Sequence, residues 1–193
     1  MRLLILALSL PIMFTAMGFA ALLLPQCGIP ASLAAAYLAL IPVVYYAKPF
    51  KIKPKYFAIS LLMFAGVWTV ELALEPLLSR YNAMTEALLQ LLAQCPQWKI
   101  YFFITAVVLA PLVEETIFRA MLYAELEKRA GALVGYVGNS LAFAAVHGLP
   151  YLIPLYFVYG VILTFAFKRG GVVSAMALHG INNFLALLPL VSS

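Results

Sequence analysis

Aspartate is missing from this chain altogether, and charge of either sign is scarce, at 10% of 193 residues. An average soluble domain is about a quarter charged and about half apolar, whereas 66% of this chain is hydrophobic. A water-soluble fold is excluded. No charged residue occurs between Leu3 and Ala47, and no formal charge between Ala130 and Phe167. Internal repeats and low-complexity segments are also lacking.

The long charge-free runs read as membrane spans. A helix needs about 20 apolar residues to cross a bilayer, so the chain has room for six or seven crossings. The expected fold class is an all-α polytopic transmembrane bundle of about seven spans, within a range of six to eight, enclosing a polar cavity in the membrane. Residues 1–193 form one integral membrane domain. Pro25, Gly28 and Pro30 divide the first run into spans of about 3–24 and 30–47. A third covers about 56–74, and a fourth runs from Ile100 through a carboxylate cluster to about Lys128, longer than one crossing requires. Gly148, Pro150 and Pro154 divide the next run into about 132–148 and 151–167, and the last span follows Gly170–Gly171 to near Leu190. The chain thus parses into three N-terminal spans (1–74), a connector (75–99) and a core (100–190). In the connector, Leu88, Leu89, Leu91 and Leu92 cluster while Glu75, Arg80 and Glu86 stay polar. It reads either as a helix lying on the membrane surface or as an extramembrane loop.

Lys and Arg concentrate in cytoplasmic loops. With seven spans and the N-terminus inside, nine basic residues (Arg2, Lys48, Lys51, Lys53, Lys55, Lys128, Arg129, Lys168, Arg169) fall on the cytoplasmic side, against Arg80 and Lys99 outside. The expected topology is N-terminus in, C-terminus out, in a multi-pass protein of a prokaryotic plasma membrane. The net charge of +5 then describes contact with anionic lipid headgroups and gives no reason to expect nucleic acid. A secretory signal over the first span is the weaker reading, because its apolar run is too long and the later spans need it for the charge pattern. Cys27 and Cys95 both fall on the outer side, where a disulfide is permitted. The weightier reading makes each a small buried apolar residue.

Ionisable groups within spans cost several kcal/mol each and mark function. Six qualify: Glu71, Glu114, Glu115, Arg119, His147 and His179. Glu71, near the outer end of span three, reads as interfacial. Glu115 and Arg119 are four apart and share a helix face; they form either a locking pair or part of a site. Glu114 is turned about 100° away and lacks that partner. An isolated carboxylate in such a place is suited to general base or acid work. Phe143 lies one turn before His147, and His179 and Asn183 share a face, which is equally the pattern of interhelical hydrogen bonding. Polar groups in lipid must find partners, so the three clusters should converge on one pocket. Depth strains that picture. Counted at about 1.5 Å per residue from the expected outer span ends, Glu114 lies roughly 20 Å down and His147 within roughly 10 Å.

At EETIFR (114–119), FAAVH (143–147) and HGINN (179–183), the chain resembles the CPBP family of intramembrane proteases, also called the Abi or type II CAAX prenyl endopeptidase-like family, whose pattern is E-E-x-x-x-R, F-x-x-x-H and H-x-x-x-N. Every motif position is filled, in order. The resemblance implies a membrane-embedded endopeptidase acting on a membrane-anchored or lipidated peptide or protein. Glu114 would activate water with the help of His147, His179 and Asn183 would stabilise the oxyanion, and Glu115 and Arg119 would support the site. The preferred reading needs no cofactor. Zinc held by Glu114, His147 and His179 is the alternative, set second because no motif puts two ligands one helical turn apart. A proton-coupled transporter would also use such residues but would show repeated broken helices, and a non-catalytic scaffold predicts a lost motif residue.

Overall fold

The computed structural model describes residues 2–78, 90–147 and 152–192. These residues are helical, without strands: α1 (Arg2–Leu23), α2 (Gly28–Leu40, prolonged by a 3-10 helix Ile41–Ala47), α3 (Pro54–Leu78), α4 (98–130), α5 (132–146), α6 (Ile153–Phe165, prolonged by a π-helical turn Ala166–Gly170) and α7 (Val172–Ser192). Four windows are long and apolar enough to cross a membrane, namely Leu4–Leu23, Pro25–Ala47, Pro54–Leu74 and Trp98–Val146. The last folds into two helices, α4 and α5, and α7 contributes a shorter apolar segment, Val172–Leu188. An all-α polytopic membrane protein is the result. The cluster Leu88–Leu89 of the connector lies outside the described residues.

The molecule is apolar outside and polar inside, as lipid demands. Leu22, Leu62, Leu72 and Leu133 are all more than 70% exposed, whereas Glu115, Arg119 and Asn139 are wholly buried. Three apolar clusters hold the helices together, one of them formed by Ala47, Ala120, Val172 and Met176. Leu40 and Val43 of α2 pack with Val113 and Met121 of α4, flanked by Ile5, Leu6 and Met13 of α1. Phe64 of α3, Phe118 of α4, Phe143 of α5, Tyr159 and Leu163 of α6 and Leu178 of α7 form the third. Helix α4 is common to all three.

Two glycines make the sharp reversals at one end. Gly131 (φ +86°) and Gly171 (φ +97°) are the positive-φ residues among those described, a conformation that side chains with a Cβ avoid. At Gly171 a Cβ would also sit 2.4 Å from the Lys51 carbonyl oxygen. That approach is used: Val173 N–H donates to Lys51 O (3.1 Å) and Lys53 N–H to Gly170 O (2.8 Å), docking the basic 48–55 loop onto the α6–α7 turn. Lys168 pairs with Glu127 beside the α4–α5 turn. The basic loops are therefore gathered at one end of the bundle. Near the other end, Cys27 and Cys95 form a disulfide. This corrects the apolar-cysteine reading: α2 begins at Gly28, with Cys27 as its N-cap, and α4 at 98, so the two helix starts bring the sulfurs together.

The depth conflict disappears when counting starts from Gly131. Glu114 lies 17 residues before it and His147 16 after it, each roughly 25 Å along its helix. The strain came from counting down from assumed outer span ends instead of from the turn that α4 and α5 share. Helix α5 ends at Val146, level with the carboxylates of α4.

Candidate active site

The regular α4 ladder is broken twice by π-helical winding, at Thr105–Leu109 and at Thr116–Tyr123, and the first break prepares the site. Thr105–Leu109 is π-helical, and Ala110 N–H bonds to Thr105 O five residues back. In that register Ala106 O awaits the N–H of residue 111, which is a proline and has none. The freed carbonyl is taken by α7: Asn183 Nδ2 donates to Ala106 O at 2.8 Å. One turn earlier on α7, Gly180 presses against Val107 O, where a Cβ would stand 2.9 Å away. Sequence order PLVEE thus fixes where HGINN docks.

Around this contact the titratable groups meet. Arg119 Nη1 donates to Glu115 Oε1 at 3.0 Å, both residues fully buried. Arg119 Nη2 reaches Gly160 O at 3.4 Å, and its guanidinium lies 4.4 Å from the Phe143 ring centre. His179 Nδ1 is 2.8 Å from the same Glu115 Oε1. An ionised carboxylate only accepts, so Nδ1 is the donor and Nε2 turns towards Glu114, 4.0 Å from its Oε2. Glu114 Oε1 accepts a hydrogen bond from Tyr37, and Oε2 is buried without a protein partner. His147 directs Nδ1 to Phe143 O at 2.7 Å and stacks on Tyr156, which leaves Nε2 available.

Two cavities flank His147. One, of about 400 Å³, is bounded by Leu6, Met13, Tyr37, Val113, Glu114 and His147 among others. The other, of about 20 Å³, is bounded by His147, Tyr156, Tyr159, His179, Asn182 and Asn183. The smaller has the room and the polar partners for about one water. All six residues singled out from the motifs, Glu114, Glu115, Arg119, His147, His179 and Asn183, therefore contact one another or line these adjoining spaces. Among the described residues no three His, Cys, Asp or Glu side chains stand close enough to share a metal ion.

The motifs miss several participants. Trp68 Nε1 of α3 donates to Asn182 Oδ1 (2.9 Å). Glu71, expected at the interface, is hydrogen-bonded by Tyr159 of α6. Tyr37 could have been suspected, since a Tyr hydroxyl in an apolar span needs a partner. Glu114 does lack Arg119, as its rotation predicts, but Tyr37 takes that place.

A buried Glu–Arg–His cluster inside an apolar helical bundle defines an integral membrane protein with a polar site within its span. More particularly, residues 96–185 match the family model described as type II CAAX prenyl endopeptidase, Rce1-like. The match spans α4 to most of α7 and holds all three motifs. It supports a CAAX-type intramembrane protease and is the same family that the motifs resemble. No curated protein and no solved structure matches the chain.

Proposed function

We propose that this protein is an intramembrane endopeptidase that hydrolyses a peptide bond of a prenylated or otherwise membrane-anchored substrate, with Glu114 as general base. The observation that carries the reading is the divided environment of Glu114. One carboxylate oxygen is occupied by Tyr37, while the other is buried, unpartnered and faces His179 beside a cavity shared with His147. Glu114 Oε2 takes a proton from water held with the help of His147 Nε2, and the water oxygen attacks the scissile carbonyl. The oxyanion is met by His179 Nε2 and by the second N–H of the Asn183 amide, whose first is spent on Ala106 O. Glu114 returns the proton to the departing amine. Glu115 and Arg119 orient His179.

Zinc is the second reading only on donor chemistry, since two imidazoles and a carboxylate are a familiar set; no step is routed through it. The basic end of the bundle faces the cytoplasm in this proposal, where it also contacts anionic headgroups. The test is reconstitution with a membrane-anchored peptide reporter. Wild type cleaves it, Glu114→Ala and His147→Ala do not, and equal cleavage by all three refutes the proposal. Reversible loss of activity on chelation, matched by metal analysis, would move the mechanism to zinc.

A further inference from the structure

Tyr37 lies on α2, in the N-terminal part of the chain that carries no motif and falls outside residues 96–185. Resting on the function proposed above, we propose that Tyr37 is the positioning residue that keeps Glu114 competent as a base. Its hydroxyl is the donor to Glu114 Oε1, and its ring lines the 400 Å³ cavity. Glu114 has a competing partner nearby in His179, with His147 across the cavity. A carboxylate free to turn would close onto His179 and leave the position from which it can reach a water. Held by Tyr37, Oε2 stays 4.0 Å from His179 Nε2. That is too long for a direct hydrogen bond.

The rest of the fold serves the same contact. Tyr37 is ten residues beyond Cys27, and the Cys27–Cys95 bond ties the start of α2 to the segment that enters α4. Below Tyr37, Leu40 and Val43 seat α2 on Val113 and Met121. The hydroxyl is thus fixed from both sides along the helix.

Tyr37→Phe removes the hydroxyl and keeps the ring. The reporter assay should show kcat reduced roughly 10- to 100-fold, the loss expected for a hydrogen bond to a charged group, with KM unchanged and only a modest fall in thermal midpoint. In the Glu114→Gln background the same substitution should have no further effect. A Tyr37→Phe enzyme with kcat within about twofold of wild type, or one whose loss lies in KM, overturns the inference. Should that variant fail to fold, 3-fluorotyrosine at position 37, which keeps the packing and alters the donor, replaces it: changed kcat at constant KM supports the inference, and unchanged kcat overturns it. If wild type cleaves and Glu114→Ala does not, while Tyr37→Phe matches wild type, only this inference falls. If wild type itself cleaves nothing, the function proposal falls and takes this one with it.

Discussion

Replacing Gly180 by Ala adds one methyl group at the closest approach of α7 to α4. The new Cβ would stand 2.9 Å from Val107 O, against about 3.4 Å for an ordinary contact, so one helix must retreat by about half an ångström. Val107 O belongs to backbone already loosened by the π-helical turn and Pro111, and it cannot rotate away as a side chain would. Overpacking of this kind costs about 1–3 kcal/mol. The larger effect should fall on turnover. His179 and Asn183 flank Gly180 on the same helix, and a catalytic constellation tolerates about 0.5 Å, while a misplacement of about 1 Å costs about 100-fold. We therefore expect kcat in the reporter assay to drop about 10- to 30-fold, with a modest fall in thermal midpoint in detergent. Gly66→Ala on α3 is the control, because nothing lies within 4 Å of its Cβ position; it should be neutral or slightly stabilising through helix propensity. Wild-type kcat in Gly180→Ala would refute the claim that the α7–α4 contact sets the site.

Two further outcomes follow from the packing. Arg119→Met strands Glu115 in a fully buried position and should cost about 3–5 kcal/mol. The double variant Glu115→Gln/Arg119→Met should cost clearly less than the sum of the singles in a detergent unfolding titration, and strict additivity would show that the pair is not coupled. Reducing Cys27–Cys95, or replacing both with Ser, should weaken the seating of α2 and lower kcat while leaving Glu115, Arg119 and His179 assembled; a kcat equal to the oxidised enzyme's would count against a role for the covalent tie.

Much of the site could be read from sequence because its groups are expensive. Glu115 and Arg119 show their pairing at a spacing of four, and an ionisable residue in an apolar run announces itself. What crosses between helices is not legible in that way. Nothing in HGINN says that His179 will choose Glu115 over Glu114, since the choice depends on how α7 rotates against α4. Tyr37 and Trp68 escaped because aromatic residues are ordinary in membrane spans, and only their distant partners distinguish them. The helix count was legible from charge-free runs, but the level of His147 was not, because span composition does not show that α5 ends beside the site. The disulfide was permitted by side of the membrane and underweighted for want of any sign that α2 and α4 start together.

The π-helical turn at Thr105–Leu109 makes the chain's register a structural variable. Each residue of an α-helix advances the winding by about 100°, so the extra residue taken up in a π turn rotates all that follows relative to all that precedes. Wound as a regular α-helix without that turn, the same residues would carry Glu114, Glu115 and Arg119 together about a quarter turn away from Tyr37 and His179. The irregularity is therefore an indexing device: it aligns the upper part of α4, which answers to the membrane, with the lower part, which answers to the chemistry.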